Sequence, residues 1–333
     1  MSNAIEFEKT SIIFGKRSER ALELADEGLE RAPIEAATGS ILGVHDATLS
    51  VGEGEIVVLM GLSGSGKSTL LRAVNGLNPV VRGDVRLRMD GQMVSVPGAG
   101  KECLRRLRLS HVSMVFQQFG LLPWRSVAEN VGLGLELAGM APEARRKRVA
   151  AQLDTVGLSD WAERQVGELS GGMQQRVGLA RAFTTEAPVL LMDEPFSALD
   201  PLIRTRLQDE LLALQAATGR SILFVSHDLD EAFKLGNRIA LMEGGRIVQI
   251  GTAREIIARP ASPYVAEFIA HMNPLDVLTA GDLAVPGQAA GPPIPADMPL
   301  KQVMSALAEA NARQLIGGGV ISRANVMERL AAS

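Results

Sequence analysis

The chain has 333 residues, of which 46% are hydrophobic and 22% are charged, a composition that excludes a wholly disordered chain. With 34 basic and 38 acidic residues the net charge is only −4. This balance excludes binding of nucleic acid through a broad basic surface. The single cysteine excludes an intramolecular disulfide and any multi-cysteine metal site.

The mean hydropathy of +0.13 is high enough that a membrane segment has to be considered. The most apolar runs are residues 56–60, 189–192, 222–225 and 239–242. Each has four or five residues, whereas a helix needs about 20 to span a bilayer. The N-terminus lacks the basic and then apolar pattern of a signal peptide. We therefore predict a cytoplasmic chain that serves a membrane process only through a partner.

The first 40 residues predict a strand followed by a helix. Residues 1–15 form the strand region, and residues 18–31 place apolar side chains at helical spacing between charged ones. This pattern predicts an amphipathic helix that Pro33 stops. From residue 41 onwards, short β-branched runs alternate with helical stretches, which is typical of a mainly parallel sheet covered by helices.

Residues 118–185 interrupt this alternation. A helix is predicted to begin near Pro142, with Val149, Leu153 and Val156 as its apolar stripe. We therefore predict a helical subdomain inserted into the α/β core. Strands are predicted to return at 189–192, 222–225 and 239–250.

The end of the chain has a different composition. Residues 284–299 contain five prolines and two glycines, which predicts an extended and poorly ordered linker. A small segment follows, with a helix near 300–310 and a turn at Gly317–Gly319. The predicted domains are 1–272, a linker over 273–299 and a short segment over 300–333.

Residues 61–68 fit the phosphate-binding loop pattern G-x-x-x-x-G-K-[ST]. A predicted strand precedes this P-loop and a helix over 68–75 is predicted to follow, a context that argues against a chance glycine-rich turn. Backbone N–H groups can curl around phosphate oxygens there, Lys67 can reach the β- and γ-phosphates of ATP, and the Ser68 hydroxyl can coordinate Mg²⁺. The candidate nucleotide-binding residues are Gly61, Ser63, Gly64, Ser65, Gly66, Lys67, Ser68 and Thr69.

Residues 189–194 form an apolar run that ends in two carboxylates. A buried strand that delivers Asp193 beside the P-loop suits a second Mg²⁺ ligand. Glu194 would then lie next to the γ-phosphate, where it can orient and deprotonate the attacking water. The run alone is weak evidence, but together with a P-loop it predicts ATP hydrolysis.

Residues 169–176, LSGGMQQR, resemble the signature sequence of ABC ATPases. The alternative is a solvated Ser-Gly-Gly helix cap. The resemblance implies an α/β fold, the P-loop NTPase cassette, with a mainly parallel RecA-like sheet, an antiparallel β subdomain and an inserted helical subdomain. It also implies a head-to-tail homodimer, in which each ATP lies between the P-loop of one subunit and the signature of the other. The signature candidates are Ser170, Gly171, Gly172 and Gln174.

The resemblance implies roles for three further residues. Gln117 corresponds to the glutamine that contacts Mg²⁺ and water, and residues 197–200 correspond to a loop at the dimer interface that ends at Asp200. His227 corresponds to the histidine that contacts the γ-phosphate. Without the resemblance, the sequence predicts that Gln117 is a surface residue and that His227 is a structural histidine.

ABC ATPases also stack adenine on an aromatic residue ahead of the P-loop. Phe14 lies 47 residues before Gly61, farther than a short hairpin would place it. The excess is about the length of residues 16–40, which we interpret as an insertion. Phe14 is therefore the stacking candidate, and a core phenylalanine is the alternative.

Several details resemble the ATP-binding subunits of quaternary-amine importers for glycine betaine or choline. These are the insertion and residues 60–67 and 169–182, while residues 273–278 resemble the start of that family's C-terminal extension. The short tail and residues 121–125 are most similar to the choline branch. The resemblance implies permease partners, indirectly a substrate-binding protein, no nucleic acid, and a place on the cytoplasmic face of the membrane.

The family extension is often a tandem of CBS modules, but only 58 residues follow Leu275. Residues 300–332 therefore resemble at most a CBS fragment. Three alternative functions stay open: an importer ATPase for another small solute, a soluble ABC ATPase of translation or DNA repair, and a non-catalytic nucleotide-binding regulator. The single cassette argues against the second, and Lys67, Glu194 and His227 argue against the third.

Overall fold

The computed structural model describes residues 2–270, 277–308 and 310–331. Contacts within the chain divide it into two units, the first of residues 1–228 and 235–247 and the second of residues 229–234 and 248–333. These boundaries differ from the predicted ones at 272 and 299. In the described part of the chain, no helix is long and apolar enough to cross a membrane.

The described strands form two larger sheets and one hairpin. A four-stranded sheet has the order β2-β1-β4-β5, a six-stranded sheet has the order β10-β9-β3-β8-β7-β6, and β11 pairs with β12. The strands are β1 Asn3–Phe14, β2 Ile41–Gly52, β3 Ile56–Met60, β4 Arg82–Met89, β5 Gln92–Ser95, β6 Val112–Val115, β7 Val189–Asp193, β8 Ser221–Val225, β9 Arg238–Glu243, β10 Arg246–Gly251, β11 Ala312–Gln314 and β12 Val320–Ser322.

The four-stranded sheet is antiparallel, and strands β9, β3, β8, β7 and β6 run parallel. This is the predicted α/β cassette, so the fold class is confirmed. Strands β3, β7 and β8 are buried at all five of their positions. Both faces of a parallel sheet are covered, which explains the high mean hydropathy without a membrane-spanning helix among the described residues.

The described α-helices follow the same chain order. They are α1 Ser18–Asp26, α2 Arg31–Thr38, α3 Lys67–Leu71, α4 Lys101–Arg106, α5 Val127–Leu137, α6 Pro142–Thr155, α7 Gly171–Thr184, α8 Pro201–Thr218, α9 Leu229–Leu235, α10 Ala253–Ala258, α11 Pro263–Ile269, α12 Leu300–Ala306 and α13 Arg323–Ala331. Helices α5, α6 and α7 occupy the stretch predicted as helical, and Val149, Leu153 and Val156 are buried as predicted.

Two helix predictions need correction. The stretch 18–31 is not one helix stopped by Pro33, because α1 ends at Asp26 and the chain turns at Gly28, where φ is +90°. Pro33 instead lies in the first turn of α2, where its missing N–H costs no hydrogen bond. The helix predicted over 68–75 is an α-helix only over Lys67–Leu71 and continues as turns.

The inserted helices pack on the four-stranded sheet. Ile34 of α2 is fully buried in a cluster with Ile13 of β1 and Leu42 of β2. Asp26 at the end of α1 accepts hydrogen bonds from Arg82 of β4 at 2.7 and 2.9 Å. The two helices are therefore fixed to the β subdomain by apolar burial and by an ion pair.

The described part of the second unit has its own core, built from residues between 257 and 326. The sequence predicts a poorly ordered linker over 284–299, but Ile294 is buried in this core. Its N–H donates to the Gln314 carbonyl at 2.9 Å, and that of Val285 donates to the Val320 carbonyl at 2.9 Å. The stretch is extended, as its prolines require, and it is nevertheless packed. Residues 273–276 of the predicted linker lie outside the described residues.

Candidate nucleotide-binding site

The P-loop runs from the end of β3 into α3. Gly61 and Gly66 have φ angles of +142° and +104°, which favour glycine. A Cβ on Gly61 would lie 2.1 Å from the Met242 carbonyl oxygen, and one on Gly66 would lie 2.5 Å from the Gly43 carbonyl oxygen. The loop therefore approaches the neighbouring backbone so closely that only glycine fits at these two positions.

The side chain of Lys67 folds back onto the start of the P-loop. Its Nζ donates to the carbonyl oxygens of Gly61 at 2.8 Å and Leu62 at 2.9 Å. Burial lowers the pKa of the Lys67 ammonium from its ordinary value, and the carboxylates of Glu194 and Asp193 oppose that shift. The loop thus holds a partly desolvated positive charge, as binding of a polyphosphate requires.

Asp193 lies beside the start of α3, as the sequence predicts. Its carboxylate is fully buried and accepts hydrogen bonds from Ser68 Oγ at 2.6 Å and Arg72 Nη2 at 2.9 Å. The Ser68 hydroxyl and the Asp193 carboxylate are thus held together, and the Gln117 side chain lines one cleft with Ser68. These three groups offer the oxygen ligands that Mg²⁺ prefers. The residues present therefore fit this cation.

Two side chains from other segments of the chain approach the same carboxylate oxygen of Glu194. Gln117 Nε2 donates to Glu194 Oε2 at 3.3 Å, and His227 Nδ1 lies 3.4 Å from the same oxygen. Gln117 follows β6 and His227 follows β8, so the carboxyl ends of three parallel strands meet at this carboxylate. The structure thus brings together three of the residues that the sequence predicts at the site.

The backbone of Glu194 is strained, with φ at +48°, which is uncommon for a residue other than glycine. Its carbonyl oxygen accepts from Gln175 Nε2 at 3.2 Å and from Ser197 Oγ at 3.0 Å. Its N–H donates to the Val225 carbonyl at 3.1 Å. Strain that the surroundings maintain is typical of functional positions, and here it aims the carboxylate at Gln117 and His227.

A cleft of about 270 Å³ opens along the P-loop. It joins residues that are far apart in the chain, from the end of β1 to the residue after β7. Its lining consists of Phe14, Arg31, Ile41, Leu42, Gly43, Ser63, Gly64, Gly66, Lys67, Ser68, Thr69, Gln117 and Glu194. Six of the eight predicted P-loop residues are in this lining, and Gly61 and Ser65 support the loop from behind.

The signature residues do not line this cleft. Ser170 caps α7, where its Oγ accepts from the Met173 N–H at 3.4 Å, and Gln174 Nε2 donates to the Leu169 carbonyl at 3.1 Å. Asp200 caps α8 by accepting from the Ile203 N–H at 3.0 Å. Gly171 and Gly172 are the first residues of α7. One copy of the chain therefore does not place these five predicted residues in the P-loop cleft.

Phe14 ends β1 at the rim of the cleft. Its side chain is 37% exposed, so it is not the core phenylalanine that the sequence left as the alternative. A Cβ on Gly43 would lie 3.0 Å from Phe14 Cε2 and 2.9 Å from Thr69 Cγ2. The ring thus lies within reach of the helix that carries the P-loop residues, which suits a base stacked at this end.

We expect Phe14→Ala to weaken binding of ATP and ADP by about tenfold, because stacking of a base on an aromatic ring contributes roughly 1–3 kcal/mol. Phe14→Tyr should bind both nucleotides as the wild type does. The measurement is a calorimetric titration. Trp161→Ala is the matched control, since Trp161 is 39% exposed and does not line the cleft. Unchanged affinity in Phe14→Ala would show that another residue holds the base.

No pattern in the sequence predicts the two arginines that the structure places at the site. Arg72 binds the buried carboxylate of Asp193, and Arg31 reaches the cleft from the insertion. Arg72 lies five residues after Lys67, but a short helix followed by turns hides which face it occupies. Arg31 lies in a stretch that reads only as amphipathic, so no local signal identifies it.

Comparison with known proteins gives three kinds of match. The family model described as "ABC transporter" matches residues 44–197. The dimeric post-hydrolysis structure of the ATP-binding cassette MJ0796 bound to ADP and Pi is similar, with a TM-score of 0.64 and 29% identity, covering 74% of this chain and 98% of that one. The match to the family model includes the P-loop and the strand that ends at Asp193.

Among curated proteins, the chain is 48% identical to the glycine betaine transport ATP-binding protein OpuAA of Bacillus subtilis, over 84% of this chain and 66% of that one. It is 47% identical to the glycine betaine/proline betaine protein ProV of Salmonella typhimurium, over 85% and 70%. It is 42% identical to the trimethylamine N-oxide protein TmoW of Ruegeria pomeroyi, over 91% and 88%. The match thus spans about two thirds of the first two relatives and most of the third.

Proposed function

The chain belongs to the family of ABC transporter ATP-binding proteins, which are ATPases, and we propose that it hydrolyses ATP to energise import of a quaternary amine through a membrane permease. The observation that carries the proposal is the convergence of Lys67, Ser68, Gln117 and Glu194 on one cleft. The identity of 48% and 47% to two glycine betaine transport ATP-binding proteins supports the substrate class.

In this proposal the P-loop binds the phosphates of ATP. Backbone N–H groups between Gly61 and Ser68 donate to phosphate oxygens, and the buried ammonium of Lys67 stabilises the charge of the β- and γ-phosphates. Ser68, Asp193 and Gln117 would hold Mg²⁺, which when bound neutralises phosphate charge. Arg72 orients the Asp193 carboxylate, because it forms an ion pair with Oδ2 at 2.9 Å.

Glu194 is proposed to orient a water molecule and to accept its proton as that water attacks the γ-phosphate. Its Oε2 faces Gln117 at 3.3 Å and His227 at 3.4 Å. Gln117 fixes the direction of the carboxylate. His227 is 60% exposed and can therefore turn toward a terminal phosphate without leaving a buried contact.

A head-to-tail dimer completes the site in the proposal. The signature residues lie outside the cleft of their own chain, and among the described residues no atom lies within 4 Å of the position of a Cβ on Gly171. The N-terminus of the 14-residue helix α7 is therefore accessible at Gly171, and a helix N-terminus suits the phosphates of a nucleotide held by a second copy. The similar cassette MJ0796, whose structure is a dimer bound to ADP and Pi, supports a dimer of this chain.

The first unit also has a surface that suits a permease. A groove of about 300 Å³ is lined largely by apolar residues, among them Leu77 and Leu137, which are 48% and 58% exposed. Trp124, which follows Gln117 in the chain, is 71% exposed. Leu77 and Leu137 line the same groove, and large exposed apolar side chains close together indicate an interaction surface. We propose that this face binds the transmembrane partner, which would bring the chain to the cytoplasmic face of the membrane.

Trimethylamine N-oxide is a second candidate for the substrate, besides the quaternary amines choline and glycine betaine. Choline, the substrate of the branch favoured by the tail and residues 121–125, is a quaternary amine like glycine betaine. Trimethylamine N-oxide differs in carrying an oxygen on nitrogen, and it is favoured by the TmoW match, which extends over 91% of this chain. All three ligands share a trimethylated, positively charged nitrogen, which aromatic side chains of a binding protein recognise.

We expect hydrolysis by the chain to rise several-fold when its permease and a ligand-loaded binding protein are present in proteoliposomes. The measurement is phosphate release with choline, glycine betaine or trimethylamine N-oxide, each compared with the unloaded binding protein. The ligand that stimulates identifies the substrate. Failure of all three would contradict the proposed substrate class, while ATP binding by the chain alone tests the ATPase assignment separately.

A further inference from the structure

Arg31, at the first position of α2, extends from the insertion into the P-loop cleft. Its guanidinium donates to the carbonyl oxygens of Gly64 in the P-loop and of Gly43 in β2. These contacts join three segments that are separate in the chain. The inserted helices therefore contact the phosphate-binding loop itself, and not only the β subdomain on which they pack.

The guanidinium occupies a slot formed by glycines. A Cβ on Gly245, in the turn between β9 and β10, would lie 2.9 Å from Arg31 Nη2, and one on Gly66 would lie 3.1 Å from the same atom. Any larger residue would displace the side chain. The slot therefore fits an arginine at this place, and burial of Ile34 one turn later in α2 fixes where that arginine begins.

The charge of Arg31 has no neutralising carboxylate among the ion pairs of the described residues. Its hydrogen bonds go to neutral carbonyl oxygens, and its Nε is buried without a hydrogen-bond partner there. A guanidinium has five N–H donors, so these contacts leave donors unused. Burial and the charge of Arg246 lower the pKa of Arg31 from its ordinary value, and an arginine stays charged under such shifts.

The position of Arg31 in the cleft determines which part of a bound nucleotide the guanidinium would face. Its partner Gly43 adjoins the Phe14 ring, which is the proposed adenine end. Glu194 and Gln117 mark the opposite end, where the γ-phosphate is attacked. Arg31 contacts Gly43 and Gly64, so a nucleotide with its base on Phe14 and its γ-phosphate at Glu194 would present its ribose and first phosphate to Arg31.

We propose that Arg31 is a further nucleotide-binding residue, whose guanidinium binds the α-phosphate and so links the inserted helices to the bound nucleotide. The proposal rests on the proposed function, since it needs a nucleotide in this cleft. An arginine is suited to this contact because its planar fork matches two phosphate oxygens.

The test measures affinities of the full chain for ATP, ADP, AMP and adenosine, the weak ligands by competition against a fluorescent ADP analogue. We expect Arg31→Ala to lower the affinities for ATP, ADP and AMP by about tenfold each, because hydrogen bonds to charged groups are stronger than those between neutral groups. The affinity for adenosine should stay within about twofold. Arg31→Lys should lose less, since it keeps the charge.

Arg20→Ala is the matched control, because Arg20 is an exposed arginine of the same insertion that pairs with Glu23. It should bind every ligand as the wild type does. Equal losses for AMP and adenosine in Arg31→Ala would overturn the proposal, because Arg31 would then act only by holding the loop. If Arg31→Ala does not fold, the same AMP-to-adenosine comparison in Arg31→Lys decides. A wild type that binds no ATP would contradict the proposed function instead.

Discussion

Replacing Glu194 by glutamine is expected to lower steady-state ATP hydrolysis by at least about 100-fold, the range that a positioned general base contributes. The amide has nearly the shape of the carboxylate and can still face Gln117 and His227. It cannot take a proton from water. ATP binding should therefore stay within about threefold of the wild type, because Lys67 and the P-loop are unchanged.

The same variant is expected to accumulate as an ATP-bound dimer, since closure needs binding and reopening needs hydrolysis. Size-exclusion chromatography with ATP measures the dimer, and phosphate release measures turnover. Glu186→Gln is the matched control, because Glu186 precedes the opposite end of the same strand and is 73% exposed. Normal hydrolysis by Glu194→Gln would contradict the role of Glu194 as the base.

The parts of the site that could be predicted are those encoded by local sequence. The P-loop follows a buried strand, and Asp193 and Glu194 end another, so the parallel pairing of β7 with β8 and of β8 with β3 carries all of them to one edge of the sheet. Gln117 and His227 follow two further parallel strand ends, β6 and β8. The ABC resemblance supplied their register, which spacing alone could not.

The parts that could not be predicted depend on tertiary contacts. Arg31 reaches the P-loop only because Ile34 is buried against Ile13 and Leu42 and because glycines leave a slot for its guanidinium. Likewise, proline content predicts extended chain for residues 284–299 but says nothing about Ile294, which is buried in a cluster of residues that lie before and after it in the sequence. Composition describes the local backbone, whereas packing depends on residues distant in the chain.

Replacing Gly171 by aspartate is expected to lower hydrolysis by at least about 100-fold while leaving the fold and nucleotide binding by the single chain unchanged. Gly171 is the first residue of α7, and a Cβ added to it would meet no atom of the described residues within 4 Å. A carboxylate at a helix N-terminus stabilises the helix by about 0.3–1 kcal/mol. Since Gly171 is outside the P-loop cleft, the variant should bind ATP as the wild type does.

The loss is expected because the new carboxylate would face the phosphates held by a second copy, and like charges at close range in a desolvated interface repel strongly. Gly100→Asp is the matched control, because it also adds an acid at a helix N-terminus, where the part of the chain that the structure describes places no atom within 4 Å of the Cβ. It should keep full activity.

The sharpest form of this test combines both substitutions. Glu194→Gln alone should form a dimer with ATP, and Glu194→Gln with Gly171→Asp should bind ATP yet stay monomeric. Because neither protein hydrolyses ATP, the comparison measures closure alone and separates the signature from the chemistry. A double variant that still dimerises with ATP would show that the N-terminus of α7 does not contact the nucleotide of the second subunit, and the head-to-tail arrangement would have to be abandoned.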